Sequence, residues 1–258
     1  GGPARVPGSG EEALTYGSLP IVWSSADKEA LLRAYAQLYL REEIQAEGLA
    51  RNLAEFSRFM PIAGLFNGQV INTASIARDA GVARTTVEGY LDLLEETLLT
   101  FRVPAFTPKL RVREKQRPKL YWTDTGIARA VKGNRGTLAQ EERGALFESM
   151  VAQYLRASID YRNLCESLYY WAPTESANVE VDFLLAVNRK FVAIEVKSGA
   201  AFSEDWFKGL RAIAPLPGLV RRMVVTPAMG RLVSNDGIEV HSFADLTRMV
   251  SEGKLFPR

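Results

Sequence analysis

Histidine and cysteine are nearly missing: the 258 residues hold one of each, His241 and Cys165. One thiol gives no disulfide framework within the chain, and the pair falls short of a zinc ligand set or a histidine-assisted triad. A metal here must therefore be held by carboxylates, which select hard ions such as Mg2+ or Mn2+. No apolar run approaches the roughly 20 residues of a membrane span, so no membrane partner is expected. No basic-then-apolar leader opens the sequence, which makes the cytoplasm the expected location. The phosphate-binding pattern G-x-x-x-x-G-K-[ST] is also absent, and with it the basis for expecting ATPase activity from these residues. Without a nucleotide loop, nucleophile pair or cofactor motif, a small-molecule enzyme ranks far behind.

What is present is ordinary in bulk, with 47% hydrophobic and 24% charged residues, and uneven in detail. The net charge is +2. Between Arg102 and Lys119 lie Arg102, Lys109, Arg111, Arg113, Lys115, Arg117 and Lys119 against Glu114 alone, a local net of +6. The rest of the chain then sums to −4. Such a segment reads as a phosphate contact, or else as a solvated loop. Residues 1–15, opening GGPARVPGSG, read as a flexible or engineered leader and carry no fold information.

Residues 16–65 read as a helical segment, with Leu31, Leu32, Tyr35, Leu38, Tyr39 and Ile44 at helical spacing after a start signal at Asp27. Residues 66–122 read as a winged helix. Asn72 or Thr73 can cap a helix to Ala80, and Gly81 breaks it. A second helix from Arg84 or Thr85 carries Val87, Tyr90, Leu91, Leu94 and Leu98 on one stripe. Arg84, Thr85 and Thr86 stand at its exposed start, where a recognition helix meets a groove. Strands at Thr100–Pro104 and Lys119–Trp122 then flank the basic stretch. The expected nucleic-acid contacts are Arg84, Thr85, Thr86, Arg102, Lys109, Arg111, Arg113, Lys115 and Arg117. Winged helices also dock proteins, so DNA is the favoured partner and not the only one open.

After a connector at 123–142, residues 143–258 read as α-β-β-β-α-β, an α/β layer fold. A helix at Gly144–Arg156 buries Leu146, Phe147, Met150, Val151, Tyr154 and Leu155 and leaves Glu148 off that face. In Val179–Ala186 and Phe191–Lys197 the period of two places Glu180 and Asp182 on one face, and Glu195 and Lys197 likewise. If Asn188-Arg189 is a two-residue hairpin turn, Val187 pairs with Lys190. Counting back, Asp182 falls opposite Glu195 and Glu180 opposite Lys197. Opposed like charges are unfavourable, and a divalent cation shared by Asp182 and Glu195 turns that repulsion into ligation. Lys197 could orient water or steady charge on a phosphate, and Glu148 could add a ligand. The bland alternative is a half-exposed hairpin in which Glu180 pairs with Lys197.

Asp182 followed by Glu195-Val196-Lys197 resembles the PD-(D/E)-x-K motif of restriction-endonuclease-like nucleases, with Val181 where the motif has proline. RGALFESMVAQYL, from Arg143 to Leu155, is similar to the first helix of that family, acidic position at Glu148 included. More widely, YGSLPIV, YLREEI, SIARDAGVARTTVEGYLDLLEETLL, RPKLYWTDTGIARAV and EVDFLL–AIEVK resemble, in order, the C-terminal part of prokaryotic AAA-type ATPases. Those proteins end in a winged helix and a nuclease-like domain. The resemblance implies Asp182, Glu195, Lys197 and Glu148 as catalytic residues. It implies Asp182, Glu195 and Glu148 as Mg2+ or Mn2+ ligands, and an ATPase core as partner in cis, ahead of the region matching Tyr16. ATP binding and hydrolysis would belong to that parent. The leading expectation is a DNA-binding, metal-dependent nuclease module; the alternative is an inert DNA- or protein-docking domain of an ATPase.

Overall fold

The computed structural model describes residues 10–39, 52–108, 114–176, 179–199 and 201–257. The expected core residue Ile44 and the expected DNA contacts Lys109, Arg111 and Arg113 lie outside the described residues, as do the side chains of Leu38 and Tyr39. The described residues mix helices with two sheets, and the chain divides into two compact units, residues 1–102 with 120–150, and residues 103–119 with 151–258.

The first unit opens with α1 (Glu11–Tyr16), α2 (Pro20–Trp23) and α3 (Lys28–Ala34), which runs on into a π turn at Tyr35–Tyr39. Asp27 starts α3 as the sequence predicts, its Oδ1 accepting the Ala30 amide at 2.9 Å. Next come α4 (Leu53–Leu65), α5 (Thr73–Ala80), α6 (Arg84–Glu96) and α7 (Thr125–Lys132). Asn72 caps α5 through the Ser75 amide at 3.2 Å, and Gly81, at φ 65°, ends it. Strands β1 (Gln69–Val70), β2 (Thr100–Val103) and β3 (Lys119–Trp122) form a sheet in the order β1-β3-β2, with Val103 and Lys119 at its ends counted in the other unit. β1 is too short for its alternation to be read from sequence.

The α6 stripe is buried at Val87, Tyr90, Leu91 and Leu94, joined by Leu93. Leu98 departs from expectation: it is 77% exposed, because the helix has already ended at Glu96. Its amide donates to Glu95 O at 3.0 Å and that of Leu99 to Leu94 O at 2.9 Å. This is a Schellman end with Leu98 at the left-handed position, φ 59°.

The second unit contains β4 (Ser167–Trp171), β5 (Val181–Val187), β6 (Lys190–Val196), β7 (Leu219–Thr226), β8 (Leu232–Val233) and β9 (Glu239–Ser242). They form one mixed sheet ordered β4-β5-β6-β7-β9-β8. β4, β5 and β6 run antiparallel in turn, β7 is parallel to both β6 and β9, and β8 pairs antiparallel with β9. Helix α8 (Gln140–Arg162) precedes the sheet and extends beyond the expected 144–156 at both ends, with the unit boundary falling after Met150. A 3₁₀ turn (Glu204–Phe207), α9 (Lys208–Ala212) and α10 (Phe243–Ser251) complete the chain. The short edge strand β8, the strand β9 and the helix α10 all lie beyond the expected α-β-β-β-α-β order. No described helix is long and apolar enough to cross a membrane.

The β5–β6 hairpin has the expected register, Phe183 with Ile194 through Val187 with Lys190. Asn188 and Arg189 both take positive φ, 48° and 62°, as a two-residue I′ turn requires.

Candidate functional site

Along β5 and β6 and one residue beyond each, the sequence marks Glu180, Asp182, Glu195 and Lys197 as one face, and an alternating hairpin ordinarily turns such a face to water. Here that face is covered. Leu184, Ala193, Val224 and Val240, whose register places them on the same side as Asp182 and Glu195, are buried in a core with Phe207, Leu210 and Ile213. The half-exposed hairpin is therefore corrected: Asp182 and Glu195 are only 4% and 6% exposed. Gly209 of α9 permits the close cover, since a Cβ there would meet the Glu180 carbonyl oxygen at 1.7 Å.

The antiparallel pairing of the hairpin stops at Phe183–Ile194, one step before the two acids. At that point the side chain of Asp182 takes over from backbone, Oδ2 accepting the Val196 amide at 2.8 Å. β6 meanwhile stays paired with β7 past Glu195, and the Lys197 amide donates to Val225 O at 2.9 Å. Both acids are thus held from backbone that is itself hydrogen-bonded.

The charges pair differently from the sequence expectation. Lys197 turns to Glu195, with Nζ to Oε1 at 2.6 Å. Glu180 instead receives Lys119, whose ammonium also lies 3.3 Å from Asp182 Oδ1. The Lys119 side chain is 3% exposed and stands 5.5 Å from the centre of the Tyr170 ring. The role of Lys119 was not legible in the sequence, where it closes the basic stretch. In the fold all four residues of its strand, Lys-Leu-Tyr-Trp, are buried, and a buried lysine needs a carboxylate.

Glu195 is the strained member. Burial, then the charge of Asp182, pushes its carboxyl well above the usual range, against the pull of Lys197. Its Oε2 is buried and has no hydrogen-bond partner. Glu180 is raised too, first by burial and next, after the opposing effect of Lys119, by Asp182. Burial likewise lifts the Tyr170 hydroxyl to about 12. A buried acceptor with a free lone pair, beside a second buried carboxylate, fits a hard divalent cation. Asp182 and Glu195 are the residues that could hold one.

Glu148, the other expected acid, belongs to the first unit, where its carboxylate accepts the Tyr121 hydroxyl at 2.6 Å. Among the expected nucleic-acid contacts, Arg84 and Thr85 are exposed and Thr86 half-buried at the start of α6, with Arg84 also paired to Glu88 at 3.2 Å. Arg102 is engaged by Asp92 at 2.7 Å and Glu95 at 3.5 Å. Lys115 is half-buried and Arg117 exposed. With Arg102 paired and Lys119 spent on acids, the +6 stretch is less available as a basic surface than its composition implies.

Residues 9–138, just over half of the chain, match the family described as Domain of unknown function DUF8612. The chain belongs to that family. Its residues 143–246 match a second, Domain of unknown function DUF4143, a domain found C-terminal to AAA ATPases. This DUF8612 chain is 26% identical over 218 residues to the uncharacterized protein Rv2008c of Mycobacterium tuberculosis and, equally, to Mb2031c of Mycobacterium bovis. The match takes in 83% of the chain and 48% of each relative, so the chain spans about half the length of the curated relatives it matches. Among solved structures, protein VC1899 from Vibrio cholerae aligns over 86% of this chain and 56% of its own, at 16% identity and a TM-score of 0.34. At that score the likeness carries no inference.

Proposed function

We propose that residues 143–258 are a restriction-endonuclease-like domain of the PD-(D/E)-x-K type, and that the chain is a DNA-binding, metal-dependent nuclease module associated with an AAA-type ATPase. The observation that carries this reading is the buried pair Asp182 and Glu195 on adjacent strands, with one carboxylate oxygen left unpartnered and Lys197 attached to the other. Burying two like charges and an orphan acceptor is costly, and such cost is kept where function needs it. A divalent cation bound by Asp182 and Glu195 would polarise a phosphoryl oxygen and make hydroxide available near neutral pH. The chain's own part is positional. The Val196 amide fixes the Asp182 carboxylate. Lys197, about one third exposed, can reach a phosphate while its link to Glu195 holds it in place.

DNA would be held by a winged helix over 66–122. The succession α5, Gly81, α6, β2, β3 supports that reading, as do the exposed Arg84 and Thr85 at the start of α6 and the exposed Arg117. A second reading, an inert docking domain, is favoured by one observation: the Lys119 ammonium already faces both Glu180 and Asp182 and offsets one of their two charges.

The test is a cleavage assay with Mn2+ or Mg2+ on single-stranded, duplex, forked and four-way DNA, run beside Asp182→Asn and Lys197→Ala. Loss of one centre of charge stabilisation should cut cleavage by about a hundredfold to a thousandfold or more while DNA binding persists. Cleavage retained by Asp182→Asn contradicts the proposal, and no cleavage by a folded native chain favours the docking reading.

A further inference from the structure

With every group ionised, Lys119, Glu180, Asp182, Glu195 and Lys197 place three carboxylates against two ammonium groups, a surplus of one negative charge. The acceptors are not equally available. Glu180 Oε1 and Asp182 Oδ1 both face the Lys119 ammonium, Asp182 Oδ2 takes the Val196 amide, and Glu195 Oε1 takes Lys197. Glu195 Oε2 alone among these named oxygens is buried without a hydrogen-bond partner. A nuclease centre built on several carboxylates can in general recruit one or two divalent cations, the second bridged by an acid shared with the first. Here the position between Glu180 and Asp182 already contains a cation, and it is covalently part of the chain.

We infer that Lys119 is a positioning residue that substitutes for a second metal ion, so that the centre takes a single divalent cation at Asp182 and Glu195. This rests on the metal-centre reading above and deepens it. One divalent ion changes the surplus from −1 to +1; a second would leave +3 in a buried pocket, which its desolvation strongly opposes. Lys119 is well fixed for the task. It is held on two sides by acids, it packs near the Tyr170 ring, and it is almost wholly buried. Glu180, in this account, serves Lys119 and not the metal.

The experiment is Mn2+ titration of the full chain by calorimetry and by manganese EPR, with Lys119→Met and Glu180→Gln treated identically. The native chain should bind one ion. Lys119→Met should bind a second, or bind the first at least about tenfold more tightly, a change of about 1.4 kcal/mol. Glu180→Gln, which keeps the lysine and provides the answer if Lys119→Met does not fold, should still bind one. Two ions in the native chain, loss of the ion in Glu180→Gln, or an unchanged count and affinity in folded Lys119→Met would each overturn the inference while leaving a metal centre. An ion gained by Lys119→Met alone would overturn the inference, because the native centre would then take none. No ion in any folded chain would overturn both.

Discussion

Each unit buries a carboxylate, and the two are treated in opposite ways. In the first unit, Asp124 is 2% exposed and fully employed. It caps α7 through the Ile127 amide at 3.0 Å and accepts both the amide and the hydroxyl of Ser18, at 2.6 and 3.1 Å. Burial raises its carboxyl, and the hydrogen bonds pull it back. In the second unit, Glu195 is buried to a similar degree but faces Asp182 and keeps an orphan oxygen. The contrast separates an acid that holds structure from one that is held by structure. The former should be costly to remove; the latter should be a burden on the unliganded fold.

The largest effect that would break this contrast is at the structural acid. Asp124→Ala removes a cap and leaves two donors of Ser18 unmatched, and should cost about 3 kcal/mol in chemical denaturation. A loss under 1 kcal/mol would deny Asp124 its role. Next is Gly209→Ala in the second unit. With the Glu180 carbonyl where its Cβ must go, the substitution should cost about 2 kcal/mol and weaken Mn2+ binding, because the start of β5 must shift. Unchanged stability would mean that α9 is not firmly seated on the strand.

Smaller, and opposite in sign, is Glu195→Gln, which should stabilise the metal-free protein at pH 7 by about 1–2 kcal/mol. The folded-state value of Glu195 is raised, so its contribution is fully present below the unfolded value of about 4.3 and is lost as pH rises through the folded value. The advantage of Glu195→Gln should therefore vanish near pH 4 and grow towards neutrality; an advantage independent of pH would contradict the cause assigned. The smallest effect is at Leu98. α5 ends on Gly81 and α6 makes the same left-handed turn with an exposed leucine, so Leu98→Gly should gain about 0.5–1 kcal/mol. A loss would mean that its side chain packs more than its exposure indicates.

What could be read from sequence was local or periodic. Asp27 and Asn72 announce the helices they cap, and Asn188-Arg189 fixes a register that places Asp182 and Glu195 at the same end of one face. The alternation tells which residues share a face but not what covers it, so the cover of Phe207 and Leu210 was invisible. Lys119 finds Glu180 and Asp182 from 61 and 63 residues away. No local pattern encodes such a pairing, and charge counting assigned the lysine to a basic surface. Leu98 was placed on a helical stripe because the spacing fits; the helix ends two residues earlier for a reason that lies in backbone geometry.

The most direct measurement is the melting temperature of the native chain and Glu195→Gln at pH 7, each with and without Mn2+. If the Asp182–Glu195 pair is kept for a divalent cation, the variant melts higher without metal, and only the native chain gains when Mn2+ is added. A native chain that melts higher than the variant without metal, with neither responding to Mn2+, would contradict the account.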